Sequence, residues 1–480
     1  MSFIVPTVGV RSSLERWRNI RGLRTLMMRN LLEDTAQRAI AYLDGLNDRG
    51  VAPAAEAVAN LQQLDQPLNE ESTSPDEVIA LLDQVCSPAT MAMAGPRFFG
   101  FVIGGSLPVT LAANWLAGAW DQNTGLFTPT PGTAQLERVA LNWLLDLFKL
   151  PPNCGGAFVT GATMANFSAL AAARHTVLKR AGWNVEANGL FGAPPITVIV
   201  GEEAHPTLFK SLGLLGLGRN RVVRVPIDSQ GRMRAAALPS LSGPTIVCTQ
   251  AGNVNTGSCD PFAEICDRAH AAGAWVHVDG AFGLWATTTP ATESLVIGIA
   301  NADSWATDFH KWLNVPYDSG IAIVRDAESL RAAMAITADY LPTSEFRNPS
   351  DFTPELSRRA RGVEVWAALR FLGRQGVVEL IERNCRQARR FATELEAAGF
   401  KVLNDVVLNQ VLVAFGDAET TNRIVNEIQT DGTCWCGPTV WQGQTAMRIS
   451  VSSWATTDAD VERSLEAIIR IARKQLSSDH

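Results

Sequence analysis

The sequence predicts an α/β protein with a mostly parallel central sheet, a helical N-terminal segment and a small C-terminal α+β domain. Short apolar runs alternate with helical patterns from Gly156 onward, which is typical of strands joined by crossover helices. Helical spacing dominates the first 60 residues, and the last hundred mix strand and helix patterns. We therefore expect a helical segment at 1–88, a large α/β domain at 89–372 and a small domain at 373–480.

The N-terminal segment combines cationic and apolar residues. Six arginines lie between Arg11 and Arg29 and alternate with Leu, Ile, Trp and Met at helical spacing, which favours a solvated or partner-facing helix. The polar stretch 62–77 is typical of a linker. A helix with one buried face is predicted at 136–150.

The central region contains seven strand candidates: AFVT, ITVIVG, VVRVP, TIVCTQ, WVHVDG, ADSWAT and IAIVRD. Parallel strands of this kind are buried on both faces of the sheet. Ligands of such sheets bind beyond the carboxyl ends of the strands, so functional residues are expected just after each apolar run.

The remaining elements follow a polar loop at 341–356, which is predicted to be a lid. A long amphipathic helix comes next, with apolar residues from Val377 to Leu395. The strand candidates KVLN, VLNQVLVAFG and AMRISVS and helices near 417–430 and 457–474 complete the predicted small domain.

Composition excludes several classes of protein. The net charge of -7 argues against nucleic-acid binding, which needs a basic surface. The uncharged stretch 98–120 contains glycines, a proline and an asparagine, so a buried loop and helix start is predicted rather than a membrane span. Cys434 and Cys436 are too few to form a metal site alone. Eight cysteines without a small disulfide-dense module, and a start unlike a secretory leader, lead us to expect a cytoplasmic protein.

Five polar features fall at predicted strand ends: the turn 161–163, His205, Asp279, His310 and Lys311. Each alone is typical of a turn, a helix cap or a solvent-exposed side chain. Together they match one cofactor. A helix N-terminus binds phosphate, a lysine amine condenses with an aldehyde, and an aspartate keeps a pyridine nitrogen protonated. These are the needs of pyridoxal 5'-phosphate (PLP).

Two motifs carry a family resemblance. HVDGAFG (277–283) and DSWATDFHKW (303–312) resemble the paired motifs of the group II PLP-dependent amino acid decarboxylases, which include the aromatic-amino-acid and glutamate decarboxylases. The resemblance extends from PRFFGFVIGG (96–105) through SRRARGVEVWAALR (357–370) to MRISVSSWATT (447–457). It implies the aspartate aminotransferase fold (fold type I) and a homodimer whose N-terminal helices wrap over the partner.

The resemblance also implies roles for individual residues. Lys311 would bond covalently to the cofactor and Asp279 would pair with its ring nitrogen. The other implied cofactor contacts are His205 stacked on the ring, Ala281 beneath it, Gln250 beside it, and Ala162, Thr163 and His310 at the phosphate. Arg448 would bind the substrate α-carboxylate, and Tyr340, at the edge of the lid, would protonate Cα.

Two residues depart from the family pattern. Asp308 stands where many relatives carry an asparagine near the phosphate, and a carboxylate there would repel the phosphate unless it were turned away or neutralised by His310. Gln250 stands where the aromatic-type enzymes have a threonine. Asp308 is therefore not assigned to the phosphate, and substrate preference does not transfer directly.

The expected reaction releases CO2 from an L-amino acid and yields an amine. An aldehyde synthase, a transaminase and a PLP-carrying scaffold without turnover remain alternatives. Phe101 and Ile103 favour an apolar or aromatic substrate, with Asn123 also expected in the pocket. Gln250, Asn123 and Arg97 could equally serve an acidic substrate.

Overall fold

The computed structural model describes residues 10–336 and 345–477, with side chains from residue 27 onward. The chain divides into two compact units, one up to Gly95 and one from Pro96. The first unit is helical, as predicted. Its α-helices are α1 (Val10–Asp44), α2 (Ala55–Ala59), α3 (Pro75–Leu81) and α4 (Ser87–Ala89). Helix α3 begins with a capping box, in which the Ser74 and Glu77 side chains each bond the other residue's backbone N–H.

Ten further α-helices belong to the second unit. They are α5 (Pro108–Trp120), α6 (Pro131–Leu147), α7 (Ala162–Arg180), α8 (Val185–Asn188), α9 (Pro206–Leu214), α10 (Phe262–Ala271), α11 (Ala327–Met334), α12 (Gly362–Ala397), α13 (Ala418–Asp431) and α14 (Asp458–Ser477). Helix α6 confirms the helix predicted at 136–150. Helix α12 contains one non-helical residue, Gly373, with a φ of 59°. The domain boundaries expected at 88 and 372 stay predictions.

Within residues 10–336 and 345–477, eleven strands form two sheets. The strands are β1 (Gly155–Val159), β2 (Thr197–Gly201), β3 (Val223–Val225), β4 (Thr245–Gln250), β5 (Trp275–Asp279), β6 (Ser304–Asp308), β7 (Gly320–Val324), β8 (Lys401–Val402), β9 (Gln410–Ala414), β10 (Gly437–Trp441) and β11 (Gln444–Ser450).

The large sheet has the order β1-β7-β6-β5-β4-β2-β3. Strands β2 to β6 pair in parallel, whereas β7 is antiparallel to both of its neighbours. No helix connects β6 to β7, so the chain returns antiparallel. All seven predicted strands are present, and the mostly parallel sheet is confirmed. The carboxyl ends of β1, β4, β5 and β6 consequently meet at one edge.

The small sheet is antiparallel, with the order β10-β11-β9-β8. Its apolar core contains Phe391 of α12, Val413 of β9, Ile424 of α13, Ile449 of β11 and Ile468 of α14. The sequence did not predict β10, because its sequence GPTVW contains a proline. The strand lies at the edge of the sheet, where proline is tolerated.

The uncharged stretch 98–120 forms a loop followed by α5, as predicted. Phe98, Phe99 and Val102 in the loop are buried. In the described part of the chain, no helix combines the length and the apolar character that crossing a membrane requires. All eight cysteines are free thiols.

Candidate active site

A cavity of about 370 Å³ lies at the edge where the carboxyl ends of β1, β4, β5 and β6 meet. Its walls come from these strand ends, from the loop before α5, from the start of α9 and from β11. The lining residues include Phe101, Val102, Gly161, Ala162, Thr163, His205, Gln250, Val254, Asp279, Ala281, Phe282, Asp308, His310, Lys311 and Arg448. This volume lies within the range of small-molecule sites.

Lys311 follows β6 on a tightly packed turn. Its Nζ lies 2.9 Å from Oδ2 of Asp308, and its side chain is only 19% exposed. Gly104 approaches the lysine backbone so closely that a Cβ there would lie 1.9 Å from the Lys311 carbonyl oxygen. The Asn314 side chain donates to the Trp312 and Ser452 carbonyls. These contacts fix the backbone that carries the lysine.

Asp279 ends β5 and is held by a chain of buried hydrogen bonds. Its Oδ2 accepts from Nδ2 of Asn166 at 3.1 Å, and Oδ1 of Asn166 lies 2.8 Å from Nε2 of His277. Nδ1 of His277 lies 2.9 Å from Oγ of Ser304, which accepts from Nε1 of Trp275 at 2.9 Å. We call Asn166, His277, Ser304 and Trp275 the Asp279 support chain.

The direction of each hydrogen bond in the Asp279 support chain can be assigned from the groups at its two ends. Asn166 presents its amide N–H to the carboxylate, so its oxygen accepts from Nε2–H of His277. Burial lowers the pKa of His277 to about 3, so the ring is neutral and Nδ1 accepts from the Ser304 hydroxyl. Burial raises the pKa of Asp279, and the nearby His205, Lys311 and Asn166 oppose that rise.

The turn between β1 and α7 offers backbone donors to an anion. Gly161 has a φ of 148°, a conformation that disfavours residues with a Cβ. Ala162 is the first residue of the 19-residue helix α7. His310 faces this turn and stacks on Tyr317, with ring centroids 4.3 Å apart. Its buried Nδ1 has no hydrogen-bond partner among the described residues, and burial lowers its pKa.

His205 and Arg448 add an imidazole and a guanidinium to the cavity wall. His205 caps α9, and its Nδ1 accepts from the Thr207 backbone N–H at 3.3 Å. Burial lowers the pKa of His205, against the charge of Asp279. Arg448 on β11 donates from Nη1 to the Val254 carbonyl at 3.1 Å, and burial lowers its pKa.

Phe101 and Val102 form a strained wall of the cavity. Both have positive φ angles, 56° and 59°, although neither is glycine. Phe101 stacks on Trp435 at 5.4 Å, and Trp435 stacks on Phe98 at 5.0 Å. Consecutive residues in this conformation need support from their surroundings and are concentrated at functional sites.

Comparison with known proteins shows the family of this chain. A family model described as the pyridoxal-dependent decarboxylase conserved domain matches residues 59–416. The chain belongs to this decarboxylase family. It is a PLP-dependent carboxy-lyase that acts on an amino acid, and its fold is fold type I.

Two curated relatives of this decarboxylase have different substrates in their names. The aromatic-L-amino-acid decarboxylase of Bacillus atrophaeus is 26% identical over 84% of this chain and 84% of its own. The L-2,4-diaminobutyrate decarboxylase of Rhizobium meliloti is 26% identical and covers 100% of this chain and 91% of its own. A crystal structure of Oryza sativa TDC with PLP and tryptamine superposes with a TM-score of 0.85 at 22% identity, covering 93% of this chain and 98% of that one.

The residues of the decarboxylase cavity fit PLP. The cavity combines an amine, a buried carboxylate and a helix N-terminus with an unpartnered His310 nitrogen beside it. Those groups match the aldehyde, the ring nitrogen and the phosphate of the cofactor. Asp308 is the exception, because its carboxylate lies at the same turn as the phosphate donors.

The structure brings most of the expected site residues to this cavity, but not Ile103 or Asn123. The Ile103 carbonyl accepts from Ser452, and the exposed Asn123 bonds Ser357 and the backbone of Arg358. Tyr340 lies outside the described residues. Among residues 10–336 and 345–477, no three His, Cys, Asp or Glu side chains are grouped as metal ligands.

Sequence reasoning missed the Asp279 support chain and a buried ion pair between the segment 357–361 and α6. Nη1 of Arg358 lies 2.6 Å from Oε1 of Glu137, and both side chains are at most 1% exposed. Arg358 also donates to the carbonyls of Thr124 and Phe158. The arginine-rich segment 357–361 was visible in the sequence, but its partner on α6 was not.

Proposed function

We propose that this decarboxylase converts an aromatic L-amino acid into the corresponding amine and CO2, with Lys311 as the cofactor-binding lysine. The supporting observation is that Lys311, Asp279 and Arg448 line one cavity. An amine, a carboxylate that faces the ring nitrogen and a cation for the substrate carboxylate are the three groups that the reaction needs at fixed positions.

When bound, PLP supplies an electron sink for the bond between Cα and the α-carboxylate. Asp279 would hold a proton on the ring nitrogen, with its carboxylate oriented by Asn166. Ala162, Thr163 and His310 would bind the phosphate. His205 and Ala281 would pack against the two faces of the ring.

Arg448 would orient the substrate. Its largely buried guanidinium would bind the α-carboxylate and hold it in one orientation, so that the bond from Cα to this carboxylate is the one that breaks. Exclusion of water from the cavity strengthens this ionic contact. Tyr340 would then deliver a proton to Cα.

The cavity lining supports an apolar side chain on the substrate. Phe101, Val102, Val254 and Phe282 all line it. Arg97, considered above for an acidic substrate, is instead buried and pairs with Asp460 at 3.0 Å. Of the three polar residues considered for acidic substrates, only Gln250 lines the cavity, so the described residues favour aromatic over acidic amino acids.

The test is CO2 release by the purified protein with added PLP, across the twenty amino acids, DOPA, cysteine sulfinate and 2,4-diaminobutyrate. We expect the highest kcat/KM for an aromatic amino acid. Faster release from glutamate, aspartate, cysteine sulfinate or 2,4-diaminobutyrate would overturn the substrate proposal. Hydrogen peroxide and ammonia formed together with an aldehyde would instead identify an aldehyde synthase.

We also propose that the protein works as a homodimer. Helix α5 exposes three large apolar side chains, Trp115, Leu116 and Trp120, each at least 45% exposed. A cluster of this kind is typical of a protein–protein contact. Light scattering that shows a monomer at micromolar concentration would contradict the dimer.

A further inference from the structure

Asp308 holds three groups around the phosphate-binding turn. Its Oδ1 accepts from the Ala162 backbone N–H at 2.5 Å, and its Oδ2 lies 2.9 Å from Nζ of Lys311. Nε2 of His310 lies 3.5 Å from Oδ1. The Asp308 side chain is only 4% exposed, so water does not compete for these contacts.

The Ala162 amide is the first donor of helix α7, and it points to where the positive end of the helix dipole favours an anion. The carboxylate already lies against this turn, because a Cβ placed on Gly161 would be 3.0 Å from Oδ1 of Asp308. A phosphate and a carboxylate cannot both accept the same N–H at hydrogen-bonding distance. Two anions placed side by side also repel each other.

Both strong contacts of Asp308 involve groups that cofactor binding would use. The phosphate would use the Ala162 amide, and the aldehyde would use the Lys311 amine. An asparagine of the same shape would keep an acceptor for the amide and would bring no negative charge. The charge of Asp308 therefore opposes the phosphate, whereas its contact with Lys311 would be broken by PLP and by pyridoxal alike.

We propose that Asp308 is an internal competitor for the cofactor phosphate, so that the phosphate adds less to cofactor affinity in this protein than it would with a neutral residue at position 308. This inference rests on the proposed use of Lys311 and the Ala162 turn by PLP. It makes Asp308 a positioning residue that controls how tightly the phosphate end is held.

The test compares PLP with pyridoxal, which lacks the phosphate, on full-length protein freed of cofactor. Dissociation constants are measured by absorbance for the wild type and for Asp308→Asn. We expect PLP to bind the variant about tenfold more tightly, because the phosphate no longer lies beside a negative charge and displaces only a neutral acceptor from the Ala162 amide. Pyridoxal affinity should change by less than about threefold, because pyridoxal has no phosphate for that charge to repel.

Asp303→Asn is the matched control. Asp303 precedes β6 at its opposite end, where Oδ2 accepts from the Val276 backbone N–H at 2.8 Å. It should leave the ratio of the two affinities unchanged. Weaker PLP binding by Asp308→Asn, or an equal change for both ligands, would overturn the proposal.

A measurement on the unmodified protein does not depend on the folding of the variant. In a crystal structure with PLP, the Ala162 amide should bond the phosphate, and Asp308 should have moved beyond hydrogen-bonding distance of it. A carboxylate still bonded to that amide would contradict the competition. Neither experiment depends on catalysis, so a protein that binds PLP without releasing CO2 would overturn the proposed reaction alone.

Discussion

Removing the Asn166 side chain should weaken cofactor binding by disturbing Asp279. In Asn166→Ala, Oδ2 of Asp279 loses the amide that donates to it at 3.1 Å, and Nε2–H of His277 loses its acceptor. A hydrogen bond donated to a carboxylate stabilises its charged form, so its loss raises the pKa of Asp279 further. The charged carboxylate is the form that holds the ring nitrogen protonated.

The size of the effect follows from the hydrogen bond that is lost. A hydrogen bond to a charged group contributes about 1.5–3 kcal/mol, which corresponds to roughly 10- to 100-fold in a dissociation constant. The same loss raises the pKa of Asp279, because the charged carboxylate loses a donor. Because affinity requires the ionised carboxylate, the loss of PLP binding at low pH should begin at a higher pH in the variant.

The assay is a PLP titration followed by absorbance between pH 5.5 and 8.5, with Ser304→Ala as the control. Ser304 lies beyond His277 in the Asp279 support chain, and its loss leaves the buried Trp275 N–H without an acceptor. That variant should lose about 1–3 kcal/mol of folding stability but keep its PLP affinity within about threefold. PLP affinity of Asn166→Ala within twofold of the wild type would refute the role assigned to the chain.

Three further predictions concern other parts of the protein. Arg358→Met removes the ion-pair partner of the buried Glu137 carboxylate, so the free energy of unfolding in a urea titration should fall by about 3–5 kcal/mol. A loss below about 1 kcal/mol would show that this ion pair does not stabilise the fold. Arg448→Lys loses the planar guanidinium that binds a carboxylate through two hydrogen bonds, so KM for the amino acid should rise at least about tenfold while PLP affinity is unchanged. An unchanged KM would show that Arg448 does not bind the substrate. Burial lowers the pKa of His205, so its ring should be mostly neutral at pH 6.5, where a free histidine is half protonated. NMR of labelled histidine should show the His205 titration midpoint below pH 6.5, and a midpoint above 6.5 would contradict this.

The sequence predicted the architecture and the strand-end residues because both depend on local patterns. Apolar runs that alternate with helices predict a parallel sheet, and such a sheet gathers the residues that follow its strands. Thus the sequence predicts that Asp279, at the end of β5, and Lys311, just after β6, lie close together. The helical N-terminal unit and the small second sheet also followed from periodicity.

The sequence did not predict contacts between distant residues. Asn166 appears in the sequence as one polar residue within a helical pattern, yet its two partners lie 113 and 111 residues away. The sequence assigns no role to Asp308, because its contact with the Ala162 amide depends on how β6 lies beside the start of α7. Asn123 was expected in the pocket and instead holds the segment 357–358, because the course of a loop is not encoded in its composition.

The most direct test of the central claim is the location of the covalent cofactor bond. The protein loaded with PLP is reduced with borohydride, digested, and mapped by mass spectrometry. We predict that the reduced cofactor is attached to the peptide containing Lys311, and that Lys311→Ala shows no attached cofactor. Attachment to any other lysine in the wild type, or a borohydride-sensitive visible absorbance that survives in Lys311→Ala, would contradict the assignment of Lys311.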